Sequence, residues 1–275
     1  MSTVTSIESS SISVLGSRIS AEFNPPGPAD FELPPFVTLG SVDVTKPMLM
    51  FVVTGVVLAL FFWAAARKAE VVPGRLQFAG ELVYGLVRNS IARDSIGSEK
   101  FLPFVPLLFS LFTMILVNNY IGLIPFLQFP TFSHFGFAVA LAIIAWVVYI
   151  GAGMKVHGVF GYFKHQCVPS GVTGLVLLLI IPLEFLSSII VRPITLCLRL
   201  FANMFAGHLL LMLFAFGGQY LIFEATSPIN VTAGVLSFLM FFMISVLELL
   251  VMFLQAYVFT LLTAMYIGEA VAESH

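Results

Sequence analysis

The sequence predicts an all-α integral membrane protein with about five membrane-embedded helices and a surface amphipathic helix. Hydrophobic residues make up 59% of the 275 residues and charged residues only 9%, whereas soluble domains carry roughly 25% charged residues. The apolar runs are long and continuous, and they lack the alternation with a period of two that marks the strands of a membrane barrel. Helices are therefore the expected spanning elements.

The composition also excludes several classes of function. The formal net charge of −2 gives no indication of a nucleic-acid partner. The sequence has no nucleotide-binding glycine loop, no zinc motif and no paired haem histidines. Its two cysteines, Cys167 and Cys197, lack metal or redox spacing, and Cys197 lies in an apolar run as a packing residue. We expect no cofactor, no metal site and no catalytic chemistry on this chain.

Two parts of different composition follow one another along the chain. Residues 1–46 are rich in Ser, Thr and Pro, without the apolar core and cleavage site of a secretory signal, and they predict a polar external segment. Residues 47–275 predict a single helical membrane domain. Within that domain the charged segment 67–100 includes "RLQFAGELVYGLVRNSI", whose spacing suits an amphipathic helix on the membrane surface.

The first three spans are separated clearly by polar residues. They are expected at Pro47–Ala66, at Phe101–Pro125 and at Phe135–Met154. A short polar loop is expected after the third span, with the four basic residues Lys155, His157, Lys164 and His165.

Two much longer apolar tracts complete the sequence, at Gly171–Gly217 and Asn230–Gly268, with the turn signal "EATSPIN" between them. Because about 20 helical residues cross the hydrocarbon core, each tract is either two spans or one strongly tilted, bent helix. Pro182 and Pro193 provide kink points in the first tract. The polar pairs described below favour a single hairpin.

Basic residues predict the orientation. Eight fall in loops that share one side if the spans alternate: Arg67, Lys68, Arg75, Arg88, Arg93, Lys100, Lys155 and Lys164. Only Arg18 and Lys46 fall on the other side. By the positive-inside rule, the N-terminus is expected outside and the C-terminus in the cytoplasm.

A permanent charge, Arg199, stands deep in the first long tract, where it costs from about 3 to more than 10 kcal/mol. It either makes an ion pair within the chain, snorkels to a helix end, or faces a partner's carboxylate or a water-filled path. Helical phase places one stripe of polar residues around it. The members of this stripe are Glu184, Ser188, Arg192, Thr195 and Asn203, and it continues with the small residues Ala202 and Ala206.

His208 lies nine residues after Arg199, on the opposite face of the helix. In the last tract Glu248 and Gln255 share a face. Residues that face each other in an antiparallel hairpin lie equally far from its turn. Arg199 and Gln255 are equally far from residue 227, and His208 and Glu248 are equally far from residue 228, where the turn signal lies. Glu248 is then either a neutral, hydrogen-bonded buried acid or half of a proton relay with His208. Gln255 is either an interhelical hydrogen-bond donor or part of the same path.

These residues carry a family resemblance. The stretches "RPITLCLRLFANMFAGHLL" and "LELLVMFLQAYVFTLLTAMYI" resemble subunit a of F-type ATP synthases, the stator half of a proton channel, in a bacterial form. "VNNYIGLIP" (117–125) resembles the family's Asn-x-x-Gly-Leu-Ile-Pro stretch in an earlier helix. Residues from about 45 to 270 fit the pattern.

The resemblance implies a set of roles. Arg199 would be the essential charge facing the carboxylates of a ring of c subunits, with Asn203 and Gln255 beside it. His208 and Glu248 would form the external half-channel pair, in the reverse order to many bacterial members. The remaining path residues would be Glu224 outside and Glu184, Ser188, Arg192, Thr195 and Tyr266 inside.

The resemblance further implies coupling of proton flow to ATP synthesis, a multi-pass place in a bacterial plasma membrane and stator b-type subunits as partners. It also implies that the last two helices form a long, tilted hairpin against the ring. Two other functions fit intramembrane charges: an ion-coupled secondary transporter and a purely structural membrane subunit. Against the transporter stands the lack of internal repeats.

Overall fold

The computed structural model describes residues 25–27, 37–39, 42–67, 72–124, 131–167, 175–224 and 227–272. The predicted external segment 1–46 lies largely outside these residues, as do Lys68 and Pro125. Two short strands, β1 (Val37–Leu39) and β2 (Val42–Val44), form an antiparallel pair with Val37 opposite Val44. This small hairpin, which the sequence did not predict, directly precedes the first helix.

The rest of the described chain is helical. The helices are α1 (Lys46–Arg67), α2 (Arg75–Gly85), α3 (Val105–Leu123), α4 (Phe135–His157), α5 (Val159–Cys167), α6 (Leu175–Leu186), α7 (Arg192–Phe223) and α8 (Pro228–Val271). A π-helical turn, Leu86–Arg93, and a final turn, Asp94–Ile96, extend α2. Short 3₁₀ turns, Leu102–Phe104 and Thr131–Ser133, precede α3 and α4.

The predicted spans are confirmed. Among the described residues, five helical stretches are long and apolar enough to cross a membrane: Lys46–Arg67, Leu102–Leu123, Phe135–His157, Leu179–Phe223 and Pro228–Val271. The last two have 45 and 44 residues, so each long tract is one helix rather than two. The break between them, from Phe223 to Pro228, coincides with the predicted turn.

The polar loop predicted after the third span is wrong, because α5 forms there. Gly158 ends α4 in the left-handed region with φ of 72°, a conformation that glycine adopts without a steric penalty. The chain then turns back, and Tyr162 is buried with 1% exposure. Its ring lies where a side chain on Gly153 would stand, so a glycine in α4 leaves room for α5 to pack.

A π-helical turn, Ser187–Val191, joins α6 to α7 within one continuous helical stretch. Pro182 lies inside α6, and Pro193 follows the π turn by two residues. Proline removes a backbone donor from the helix, and a wide turn of this kind adds one residue to the helical repeat. Between the two prolines at which a kink was predicted, the helix thus changes its phase locally.

The described residues form two compact units. The first contains Gly207–Leu247, which comprises the second part of α7 and the first part of α8. Here the two helices pack as an antiparallel hairpin. A Cβ on Gly218 would stand 3.3 Å from the Phe238 ring, and Ser237 Oγ donates a hydrogen bond of 2.8 Å to the carbonyl of Phe214. The facing residues Gly218 and Phe238 lie equally far from residue 228, so the two helices pack in the register predicted for the hairpin.

The second unit contains residues 33–206 and 248–275. Its core joins the surface helix and its extension to α3, α4, the first part of α7 and the last part of α8. Its most buried side chains include Ile91, Leu108, Phe112, Ile115, Leu196, Leu200, Met252 and Phe259. This packing holds the Arg199 segment of α7 and the Gln255 segment of α8 in one body.

Candidate functional site

Arg199 lies near the middle of the apolar stretch Leu179–Phe223, and its side chain is exposed. Thr195 and Ala202 are exposed on the same face, while Leu196 and Leu200 on the other side are buried. Within the described ranges, no carboxylate forms an ion pair with Arg199. Thr195, Arg199 and Ala202 therefore form an open face of α7, with a charge at its centre.

Arg192 lies on that face two helical turns earlier, but its surroundings are different. Its Nη1 is 2.6 Å from Oε2 of Glu269, near the end of α8. Its guanidinium carbon lies 4.8 Å from the centroid of the Tyr266 ring, a cation–π distance. Only 17% of the Arg192 side chain is exposed, against 49% for Glu269. The structure thus brings the predicted residues Arg192 and Tyr266 into direct contact and adds Glu269, an acid that was not predicted from the sequence.

Ser188 is buried, with 1% exposure, so it does not share the open face predicted for it. It lies in the π-helical turn before α7, and the added residue in that turn rotates it away from the Arg199 stripe. Its Oγ accepts a hydrogen bond of 3.0 Å from Gln166 Nε2, and its carbonyl accepts one of 2.9 Å from the Tyr149 hydroxyl. Tyr149 in turn makes an edge contact with Tyr266, with ring centroids 5.8 Å apart.

Glu184 is half-buried in α6 and acts electrostatically on Cys167 at the end of α5. Burial raises the pKa of the Cys167 thiol, and the Glu184 carboxylate raises it further. Burial also raises the pKa of the Tyr162 hydroxyl, and the charge of Arg192 offsets only part of this rise. The inner candidates Glu184, Ser188 and Arg192 therefore border one polar region lined by α5, and this region includes groups that sequence reasoning did not find.

Three further predicted residues lie in the same unit. The Thr195 hydroxyl donates to the carbonyls of Val191 and Arg192 in its own helix, so its oxygen remains an acceptor on the open face. Asn203 is half-buried. Gln255 is buried, and within the described part of the chain its Nε2 has no hydrogen-bond partner. A buried amide donor of this kind is available to a ligand or a water molecule.

The external candidates are distributed over both units. His208, in the first unit, is buried with 8% exposure, and Glu248, in the second, with 6% exposure. Glu224 is exposed just beyond the end of α7. The burial of His208 and the exposure of Arg199 agree with their opposite faces on one helix. Over the described ranges, no cluster of His, Cys, Asp and Glu side chains could hold a metal ion.

The "VNNYIGLIP" stretch joins α3 to the helix that carries Glu248 and Gln255. Asn119 Nδ2 donates a hydrogen bond of 3.3 Å to the carbonyl of Met252, and the Tyr120 hydroxyl donates one of 3.4 Å to the carbonyl of Leu249. Both acceptors lie between Glu248 and Gln255 along α8. The motif therefore fixes the segment that presents these two polar groups.

Comparison with known proteins identifies the family of the chain. A family model described as ATP synthase A chain matches residues 48–268. The chain belongs to the ATP synthase A chain family. The match covers all five spans almost completely and every predicted site residue.

Proteins named ATP synthase subunit a share this membership at high identity. The one from Nocardioides sp. is 55% identical over 263 residues, which cover 92% of this chain and 95% of that relative. The one from Pseudarthrobacter chlorophenolicus is 48% identical over 268 residues, with 95% and 98% covered. The one from Rhodococcus erythropolis is 38% identical over 257 residues, with 92% and 93% covered.

Membership of the ATP synthase A chain family gives the chain its broad role, that of a proton-translocating stator subunit in a larger F-type assembly. Five membrane-competent helices and relatives from bacteria make it a multi-pass bacterial membrane protein. The predicted family is thereby confirmed.

Glu269 was not predicted because it lies just outside the last apolar tract, whose predicted end is Gly268. A signal was present, since the hairpin register places Arg192 within about two turns of Glu269. Gln166, which lies in the helix taken for a loop, was not predicted either. Tyr149 was hidden by the apolar composition of its span.

Proposed function

We propose that the chain forms the stationary half of the proton channel of a rotary ATP synthase in a bacterial plasma membrane. Protons would pass through two offset half-channels to and from the carboxylates of a rotating ring of c subunits. The chain itself would carry no bond-making chemistry, and it would couple proton flow to ATP synthesis elsewhere in the complex.

The observation that carries this proposal is the exposure of Arg199 in the middle of an apolar helix, on a face with small residues. A charge exposed to lipid at this depth is costly, whereas a carboxylate from a second subunit would compensate it. Ala202 and Ala206 are exposed on the same face, and small residues let a partner helix approach closely.

The two routes follow from the placement of the other polar groups. The outer route would run past Glu224, His208 and Glu248 to a ring carboxylate. The inner route would run from the ring past a second set of residues to the cytoplasm. That set contains Thr195, Tyr266, Arg192, Ser188 and Glu184, together with Glu269.

Arg199 would separate the routes. Its charge favours the ionised form of a ring carboxylate opposite it, so a proton has to leave before that carboxylate passes. On the lipid side of the ring the carboxyl has to be protonated, because a neutral group enters hydrocarbon at far lower cost. Asn203 and Gln255 would supply hydrogen bonds beside the arginine. A proton could then cross the membrane only while bound to a ring carboxylate that moves from one route to the other. This movement would be the rotation of the ring.

The arrangement in the membrane follows from the basic residues. Residues 1–46 would lie outside the cell, and residues 47–275 would form one membrane domain with segment 67–100 at the cytoplasmic surface. The C-terminus would be cytoplasmic. Stator b-type subunits would hold the chain against the torque of the ring.

The test uses the complete ATP synthase in inverted membrane vesicles. Arg199→Ala is expected to abolish ATP-driven proton pumping, because no other described charge occupies its level on the open face. Arg75→Ala, which removes an exposed arginine at the start of α2, serves as the matched control and should pump normally. Pumping by an assembled Arg199→Ala complex would refute the proposal, and solute uptake by the reconstituted chain alone would favour a transporter.

A further inference from the structure

Two arginines stand on one face of α7. Arg192 and Arg199 are seven residues apart, so they differ by only about 20° in helical phase and by about 10 Å along the axis. Residues 192–199 all belong to regular α-helix, so the π-helical turn does not disturb this relation. A partner surface that slides along the face would meet both side chains.

Their charges are balanced in different ways. The Arg192 guanidinium has Glu269 Oε2 2.6 Å from its Nη1 and the centroid of the Tyr266 ring 4.8 Å from its central carbon, so its charge is already paired and one face of its plane is covered. Arg199 is exposed and has no ion-pair partner among the described residues. Only one of the two arginines is therefore open to a new anion.

The end of α8 that carries Glu269 is fixed by its neighbours. A Cβ on Gly268 would collide with the backbone carbonyl of Ser95, so the two backbones are in close approach. Lys100 Nζ lies 3.4 Å from the carbonyl of Val271, and His157 Nε2 lies 2.9 Å from that of Ala272. These contacts hold the backbone that carries Glu269 within reach of Arg192.

An arginine without a partner on this face would attract any carboxylate that passes it, and the attraction is strong where water is scarce. Two open arginines about 10 Å apart would give a moving carboxylate two places to stop. Only Arg199, at the boundary between the half-channels, is useful as a stop. A second stop beside Arg192 would hold the carboxylate within the inner route and slow its progress.

We infer that Glu269 is a positioning residue that neutralises Arg192, so that Arg199 is the only open cation a ring carboxylate meets on this face. The inference rests on the proposed function, because it takes the ring carboxylate as the passing anion. A different role, in which the ion pair only braces α7 against α8, makes opposite predictions for a double variant.

The experiment compares assembled ATP synthase complexes in inverted vesicles, with pumping rates normalised to the amount of complex. Glu269→Gln leaves Arg192 without its ion-pair partner and is expected to lower the pumping rate about tenfold. This is the loss expected if the ring carboxylate spends about nine-tenths of its time beside Arg192. Arg192→Gln with Glu269→Gln removes the second cation and is expected to recover part of the rate, short of the parent because both side chains line the proposed inner route. Glu269→Asp keeps the negative charge and should also recover pumping. Glu99→Gln, which neutralises an exposed acid between α2 and α3, is the control.

A chemical version avoids any fault in assembly. Glu269→Cys, in a background of Cys167→Ser and Cys197→Ser, is treated after assembly with a negatively charged or a neutral thiosulfonate of similar size. The site is half exposed, so both reagents should reach it. Only the anionic adduct is expected to restore pumping.

The outcomes separate the two claims. If the double variant is as slow as Glu269→Gln, or if the two adducts act alike, Glu269 is a brace and the inference is wrong. In either case the proposed function stands as long as Arg199→Ala abolishes pumping. If Arg199→Ala pumps normally, the proposed function fails first, and the inference fails with it.

Discussion

The indole N–H of Trp146 in α4 donates a hydrogen bond of 2.9 Å to the carbonyl of Ile189. Ile189 is four residues before Pro193, which lacks the N–H that would donate to this carbonyl in a regular α-helix. One residue earlier, the carbonyl of Ser188 accepts from the Tyr149 hydroxyl at 2.9 Å. Two side chains of α4 thus supply hydrogen bonds to carbonyls of the π-helical turn before Arg192, and they stabilise that turn.

Replacing Trp146 with Phe should destabilise the chain by about 1–3 kcal/mol, because it leaves a partly buried carbonyl without this donor. The free energy of unfolding in mixed micelles measures this effect. Trp63→Phe is the matched control, since Trp63 is the other tryptophan and is 59% exposed. Equal losses in the two variants would show that the Ile189 contact contributes nothing specific.

Gly153→Ala should destabilise the packing of α5 on α4. The new Cβ would collide with the buried Tyr162 ring and stand 3.2 Å from Cβ of Ala270, and overpacking of this kind costs about 1–3 kcal/mol. Gly151→Ala, on the same helix with nothing within 4 Å of its Cβ, should leave the free energy of unfolding unchanged or slightly raise it. Thermal unfolding of the two purified variants makes the comparison, and a Gly151→Ala that is the less stable of the two would contradict the packing described here.

The spans were predictable from the sequence because hydropathy depends on local composition alone. The bounds of α1 and α4 differ from the predicted spans by three residues or fewer. The hairpin was predictable because Arg199, His208, Glu248 and Gln255 share one centre of symmetry. In an antiparallel hairpin, residues at the same depth in the membrane lie equally far from the turn along the chain, so their shared depth can be read from the sequence.

The features that were missed depend on contacts between distant segments. Nothing near Ser188 distinguishes a simple proline kink from a π-helical turn, since the choice depends on donors supplied from α4. Helix α5 was taken for a loop because its packing depends on the space above Gly153. The importance of Glu269 depends on its contact with Arg192, which is 77 residues away in the sequence.

Asn119→Ala should weaken the attachment of α8 to α3 by about 0.5–1.5 kcal/mol, the usual net value of one hydrogen bond. Asn118→Ala is the comparison, because Asn118 is equally buried but donates only to Met114 in its own helix, at 2.8 Å. Since Asn119 holds Met252 between Glu248 and Gln255, its loss should also slow proton pumping more than the loss of Asn118. If the two variants pump at the same rate, the motif does not act through α8.

Glu184 and Cys167 provide a test of the inner polar region that is independent of pumping. Burial and then the Glu184 carboxylate raise the pKa of the Cys167 thiol, and only the thiolate reacts with alkylating reagents. In a Cys197→Ser background, alkylation should therefore reach half its maximal rate at a pH above the value of about 8.5 for a free thiol. Glu184→Gln removes the raising charge, so this midpoint should move to lower pH, whereas Glu184→Asp should move it much less. A midpoint that is the same in Glu184→Gln as in the parent would mean that the carboxylate does not act on this thiol.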